Sequence, residues 1–276
     1  MAGTLYLVPT PIGNLGDISV RCRRTLAEAD FIAAEDTRVT LKLLNYLELK
    51  KPLVSYYEHN KAESGPRIAA RILAGETCVL VSDAGSPAIS DPGEDLVRLC
   101  AEAGVTVCAI PGPCAVITAL SISGLPTGRF CFEGFLSINK KSRREHLAGL
   151  KAERRTMIFY EAPHKLVNTL EDLAETFGAE RHISLCRELT KLHEEVVRTT
   201  LGEAAARYRE TPPKGEFVLV VAGAAEAEAA EAAPEEALAR VQALMAEGLS
   251  RKDAVKQAAK ETGVARNVLY DLALQT

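Results

Sequence analysis

Two loops in this chain are built from the residue types that let backbone approach a bound molecule. Ser82-Asp83-Ala84-Gly85-Ser86-Pro87 and Pro111-Gly112-Pro113-Cys114-Ala115 each follow a short apolar run, CVLV and VTVCAI, and each precedes a helix-like pattern. Glycine, proline and serine at such points suit close backbone contact with a small molecule and contribute little to proton transfer. Groups able to move a proton stand at other strand ends. The run Phe31-Ile32-Ala33-Ala34 passes directly into Glu35-Asp36-Thr37-Arg38, where two carboxylates and a guanidinium could polarise a hydroxyl. Capping of the following helix by Asp36, with Arg38 paired to it, is an equally physical use of the same residues. His59 and Glu161, each at the end of an apolar run, are further candidates for a base. Residues Asn139 to Arg155 hold seven Lys or Arg against two Glu, the strongest positive cluster in the chain. Such a cluster suits phosphates, or forms a solvated helix face.

The loop after Leu5–Val8, Pro9-Thr10-Pro11-Ile12-Gly13-Asn14-Leu15-Gly16, has the strand, glycine turn and helix order of a nucleotide-binding unit but not its chemistry. It lacks the GxGxxG spacing and the Walker lysine, and its prolines remove donors that a phosphate cradle needs. A formal charge of −4 excludes nucleic-acid binding through overall charge, so such a partner has to meet a local patch. Seven cysteines without CxxC spacing, mostly within apolar runs, read as buried reduced thiols rather than a disulfide frame or zinc site. The five histidines show no ligand spacing either, and no metal is expected. The start MAGTLYLVPTP has no basic segment followed by a long apolar one, and no stretch of about 18 apolar residues occurs. A cytoplasmic protein with no membrane partner is expected.

Positioning these residues requires strands whose ends converge. Apolar runs alternate with helix-like patterns up to Ile110, giving an expected N-terminal α/β domain with a mostly parallel sheet over residues 1–112. Such a sheet binds small molecules in loops at the carboxyl ends of its strands. Residues 113–223 carry short alternating runs with polar connections and are expected to form a second α/β domain with a mixed sheet. Residues 224–234, AAEAEAAEAAP, lack apolar periodicity and read as a linker. Residues 235–276 are expected to be wholly helical, with Ser250 and Asp253 near a capping-box pattern and Gly263 turning one helix into the next. That is a helix-turn-helix pattern, whose six basic and six acidic residues leave nucleic-acid contact and plain helical docking equally open.

The segments VPTPIGNLGDIS, AAEDTR, VSDAGSPAISDPG, IPGPCAVITALSISGLP, FEGFL, FYEAPHKL and CRELTKLHEEVVRTTL closely resemble the bacterial ribosomal RNA small-subunit methyltransferase I family. The resemblance covers essentially the whole chain. It implies the tetrapyrrole methylase-like, class III methyltransferase fold shared with precorrin methyltransferases and diphthine synthase: two α/β domains followed by a small all-helical C-terminal domain. S-adenosylmethionine would lie bent in the cleft between the two domains. The implied reaction is methylation of the ribose 2′-hydroxyl of a cytidine in the decoding region of 16S rRNA, within the small ribosomal subunit or a precursor, by a homodimer. Carried over by residue, the loop beginning at Pro9 would line one side of the donor. Gly85-Ser86-Pro87 stands where the wider fold has Gly-Asp-Pro, with Asp83 two residues upstream and Ala84 between them. Pro113, Cys114 and Ala115 would offer backbone contacts, and Tyr160 would cover the donor from the second domain.

Methyl transfer from a sulfonium is an in-line displacement, so holding oxygen, carbon and sulfur collinear supplies much of the rate. A ribose hydroxyl is hardly ionised at neutral pH, so a polarising group within hydrogen-bond reach helps. Glu35, Asp36 and Arg38 are the first choice for that role, with Arg38 the partner of a phosphate or carboxylate; catalysis by positioning alone is the other route. Lys140, Lys141, Arg143, Arg144, Arg154 and Arg155 would neutralise RNA backbone and set the salt dependence of binding. A methyltransferase of the same fold acting on a tetrapyrrole or a modified protein residue is the nearest alternative, and a ligand-sensing DNA-binding regulator the second. The basic segment weighs against the former, the balanced charge of the helical tail against the latter.

Overall fold

The computed structural model describes residues 2–225, 234–262 and 264–274. They fall into two compact units, divided between Ala222 and Gly223. In the first unit, β1 (Thr4–Leu7), β2 (Phe31–Ala34), β3 (Leu53–Ser55), β4 (Cys78–Val81) and β5 (Thr106–Ala109) form a sheet in the order β3-β2-β4-β1-β5. Every neighbouring pair is parallel. β2 and β4 are buried at every position, which is why they read as unbroken apolar runs. Ile32, Ala34, Val79 and Val81 face Cys22 and Leu26 of α1 (Val20–Glu28) and Leu43 and Leu44 of α2 (Thr37–Tyr46). Phe31, Ala33, Cys78 and Leu80 face Ile68 and Ile72 of α3 (Lys61–Leu73) and Leu96 and Cys100 of α4 (Glu94–Glu102). Each fully buried Leu, Ile or Phe contributes roughly 1.5–3 kcal/mol. Both faces being filled in this way, a one-residue slip of a central strand would exchange them, so the register is fixed.

That arrangement makes the crevice. The chain leaving β1 turns to α1 on one face, whereas the chain leaving the adjacent β4 turns to α4 on the other. Loops at the carboxyl ends of β1 and β4 therefore part, as at the ligand sites of open α/β sheets. The start of α1 is set by Ser19, whose hydroxyl accepts the Cys22 N–H at 3.0 Å, while Leu15–Asp17 forms a single 3-10 turn.

The second sheet comprises β6 (Phe130–Phe135), β7 (Thr156–Glu161), β8 (His182–Arg187), β9 (Glu195–Thr200) and β10 (Phe217–Val221) in the order β6-β7-β10-β8-β9. β6 and β7 are parallel and the other pairs antiparallel. Ile158, Val218 and Val220 pack against α5 (Ala115–Ser123). The opposite face, with Met157, Phe159 and Leu219, is covered by α6 (Lys140–Gly149), α7 (Leu166–Phe177) and α8 (Leu201–Glu210).

The second unit packs α9 (Pro234–Ala246), α10 (Arg251–Thr262) and α11 (Arg266–Leu274) around Val241, Leu244, Val255 and Leu269. Ser250 caps α10, its hydroxyl accepting the Asp253 N–H at 3.2 Å. Residues 226–233 of the expected linker and Gly263 of the expected turn lie outside the described residues. Among the described residues no helix is long and apolar enough to cross a membrane, and no group of His, Cys, Asp and Glu could hold a metal ion.

Candidate active site

The crevice of the first sheet widens into a cavity of about 460 Å³ that the second sheet closes from the other side. The first half contributes Ile12 after β1, Glu35 after β2, and Asp83–Ser86, Ile89 and Asp91 after β4. Cys114 and Ala115, at the start of α5, form part of the wall. From the second half come Phe135, Tyr160, Glu161, Leu189 and Val218. Helix starts present unpaired N–H groups; burial raises the pKa of the Tyr160 hydroxyl, against a pull downward from the Val116 N–H at the start of α5. The Tyr160 ring lies 5.4 Å from that of Phe135.

Backbone pairing holds the loops. Thr10 N–H donates to the Gly85 carbonyl at 2.9 Å, Gly85 N–H to the Thr10 carbonyl at 3.0 Å, and the Thr10 hydroxyl to the Ser82 carbonyl at 3.1 Å. Gly85 takes φ +84°, a conformation costly for any residue with a Cβ. The Ser86 hydroxyl donates to the Pro113 carbonyl at 3.2 Å, tying the third loop to the other two. Across the cavity Gly13 meets the loop after β8 so closely that a Cβ there would lie 2.8 Å from Thr190 Oγ1 and 3.0 Å from the Leu189 carbonyl oxygen. Further along the β4 loop, Ala88 and Ser90 adopt φ of 67° and 68°. Left-handed backbone outside glycine costs of order 1–3 kcal/mol per residue and concentrates at functional loops. Here it alternates with Ile89 and Asp91, the two residues of that segment that line the cavity.

The electrostatics of the cavity are acidic. Glu35 accepts the Asp83 N–H at 3.3 Å, and Asp83 accepts the Asp36 N–H at 3.1 Å, so the two strand ends clasp each other through their carboxylates. Burial raises the pKa of Glu35, and the neighbouring Asp83 and Asp36 charges add to that. Burial likewise raises Asp83. Asp91 is pushed up to about 6, first by burial and then by the charge of Glu35, against a Ser82 hydrogen bond that pulls it down.

The other residues singled out in the sequence divide clearly. Asp83, Ala84, Gly85, Ser86, Cys114, Ala115, Tyr160 and Glu35 line the cavity together. Asp36 and Arg38 do not, which departs from their grouping with Glu35: Asp36 caps α2, accepting the Arg38 N–H at 2.8 Å, and takes the guanidinium as a fork at 3.0 and 2.6 Å. That pairing holds the Asp36 carboxyl at about 2, with the Arg38 side chain 87% exposed. Pro9 and Pro87 are buried behind the lining, Pro9 against Gly112, and Pro113 supports the wall through its carbonyl. Glu161 lines the cavity, but its carboxylate is held by the Ala162 N–H at 2.8 Å and the Thr169 hydroxyl at 2.6 Å. His59 is exposed and stacks edge-on to Tyr57 away from the lining. Ile12 belongs to the loop beginning at Pro9, whereas Ile89, Asp91, Phe135, Leu189 and Val218 are lining residues that sequence reasoning missed. Asp91 was masked by its setting, since Ser90-Asp91-Pro92-Gly93 reads as a turn.

The basic segment also divides. Arg143 is a brace between α6 and α7: its Nε donates to Asp172 at 2.6 Å and its Nη1 to the Ser137 carbonyl at 3.3 Å, with side chains only 16% and 11% exposed. Of the six basic residues expected to meet RNA, Arg143 is thus the one turned into the fold. Arg155 forks onto Glu153 at 2.9 and 2.6 Å, and Arg144 reaches Glu175 at 3.5 Å. Lys140, Lys141 and Arg154 are exposed, Lys141 with a loose contact to Glu145 at 3.9 Å.

With this geometry established, comparison with known proteins is informative. The family Tetrapyrrole (Corrin/Porphyrin) Methylases matches residues 4–205, and the RsmI C-terminal HTH domain matches residues 231–276. A protein of Synechocystis sp. called ribosomal RNA small subunit methyltransferase I is 49% identical over 99% of this chain and 98% of its own length. A protein of the same name from Halalkalibacterium halodurans is 50% identical over 98% of this chain and 94% of its own. Among solved structures, diphthine synthase superposes with a TM-score of 0.60 at 15% identity, over 80% of this chain and 90% of that one. Uroporphyrin-III-C-methyltransferase from Thermus thermophilus gives 0.57 at 21%, over 79% and 94%. These structures share the fold of the two α/β halves.

Proposed function

The chain belongs to the ribosomal RNA small subunit methyltransferase I family of tetrapyrrole methylases, and we propose on that footing that it methylates the 2′-hydroxyl of a cytidine in the decoding region of 16S rRNA, with S-adenosylmethionine as donor. The observation that carries this reading is the extent of the likeness, which runs through both α/β halves and the helical unit at 49% identity over 99% of the chain. The cavity fits the donor. Its volume of about 460 Å³ lies within the roughly 300–1,000 Å³ typical of sites for cofactor-sized molecules. Ile12, Ile89 and Leu189 give apolar wall, and Glu35, Asp83 and Asp91 face the interior with the negative charge that a sulfonium and an ammonium need.

The donor supplies an electrophilic methyl carbon; the chain supplies position and a proton acceptor. Backbone around Gly85, Cys114 and Ala115 fixes orientation, while Phe135 and Tyr160 exclude water from the side of the second sheet. Glu35 and Asp83, each made more basic by burial, are the groups able to polarise the acceptor hydroxyl and take its proton. Lys140, Lys141, Arg144, Arg154 and Arg155 meet RNA phosphates, the substrate is the small subunit or a precursor, and the working form is a cytoplasmic homodimer. The test is transfer of labelled methyl to small subunits that lack their own modification, with naked 16S rRNA in parallel. Label in subunit RNA supports the reading. Donor binding without label in either RNA would move the substrate to a tetrapyrrole or a protein.

A further inference from the structure

A second cavity, of about 220 Å³, opens on the other side of the Asp83 loop. Asp83 lines both cavities, and the paired backbones of Thr10 and Gly85 separate them. One wall is the flank of α2 that carries Val39, Leu43 and Tyr46, at i, i+4 and i+7, with Lys42 beside them. Opposite stands Leu15, in the 3-10 turn that Asn14 pins by accepting the Gly16 N–H at 2.9 Å. Tyr46 is 56% exposed and Leu15 43%, so neither is spent on the core beneath.

Size, wall chemistry and charge select the occupant. At about 220 Å³ the space is below the roughly 300–1,000 Å³ of sites for whole drug-sized ligands, and suits one flat ring system. An aromatic face with aliphatic surroundings is how unstacked RNA bases are gripped, and cations at the rim meet the phosphates on either side. Lys42 lines the rim, and Arg38 lies one turn earlier on α2, held in place by Asp36. Asp83 is common to the walls of both cavities, so a nucleotide held here brings its sugar to the wall that this cavity shares with the donor cavity.

We propose that this second cavity receives the base of the acceptor nucleotide, stacked on Tyr46 with a flanking phosphate at Lys42, so that its ribose lies at Asp83 between the two cavities. The inference rests on the RNA methylation proposed above and deepens it.

Tyr46→Leu keeps apolar bulk and removes the stack, Tyr46→Phe keeps the stack, and Lys42→Ala removes one rim cation; all three alter exposed side chains. Rates on unmodified small subunits are measured against subunit concentration and salt, with calorimetry for the donor and sedimentation for oligomeric state. The expected result is a roughly tenfold loss of kcat/KM in Y46L, the scale of one lost base stack. Y46F stays within about twofold of wild type, and K42A lowers the salt slope by about one charge. Donor affinity is unchanged in all three. Unchanged rates in Y46L, an equal loss of donor affinity, or dissociation of the oligomer would each overturn the inference, the last by making this face a subunit contact. Wild-type protein that transfers nothing to subunits overturns the methylation reading and this inference with it; wild-type transfer with indifferent variants overturns this inference alone.

Discussion

Asp91 lines the cavity between two residues of tightly constrained backbone, Ser90 with left-handed φ and Pro92, and its carboxyl feels the charge of Glu35. Its pKa rises from 3.8 to about 6 in the folded protein, so between those values the folded state binds more protons than the unfolded one. Stability from this group is therefore complete below the lower value and lost as pH climbs through about 6. Asp91→Asn is expected to stabilise the donor-free protein by about 1 kcal/mol above pH ~7, screening included, and to give no gain below pH ~4. Chemical denaturation at the two pH values checks this. The donor works in the opposite sense, since a cation favours ionised Asp91: donor affinity should rise several-fold through pH ~6, and calorimetry should find that rise reduced in D91N. At this scale the sequence pointed to Glu35 because it ends an apolar run, and to Asp83 because it stands in a glycine- and serine-rich loop after one. It hid Asp91, since a turn-like Ser-Asp-Pro-Gly string carries no sign of what faces it across space.

Strands and helices were the most legible level. Burial on both faces makes β2 and β4 continuous apolar runs, and the caps by Ser19 and Asp36 follow from local hydrogen-bonding chemistry. The pairing of α6 with α7 was not legible, because Arg143 and Asp172 are 29 positions apart and neither has neighbours in sequence that point to a buried partner. Consequently the basic run looked uniform when it is not. Arg143→Ala is expected to cost about 3 kcal/mol by leaving the Asp172 carboxylate buried and unpaired. Lys140→Ala with Lys141→Ala should leave stability within about 0.5 kcal/mol. The same double variant should weaken subunit binding and flatten its salt dependence by about two charges. Thermal unfolding and salt-titrated binding separate the two roles, and a double variant with unchanged salt dependence would remove this segment from the RNA contact.

For the whole molecule, the alternation of strands and helices gave the architecture, but the convergence of the strand-end loops on one cavity depends on strand order. β1 neighbours β4 rather than β2, and no local pattern encodes that. The helical unit packs around its own core, with Val241, Leu244, Val255 and Leu269 buried. Truncation after Ala222 is therefore expected to leave donor affinity within about twofold while lowering kcat/KM on subunits by tenfold or more. Equal loss of both would mean that the donor site needs the helical unit. The most direct measurement is the position of the transferred methyl group: small subunits are labelled from S-adenosylmethionine, and their 16S rRNA is then hydrolysed in alkali. A 2′-O-methyl group blocks attack on the adjoining phosphodiester, so the account predicts label in an alkali-resistant dinucleotide that begins with cytidine and maps to the decoding region. Label released in mononucleotides would place the methyl group on a base and contradict the account.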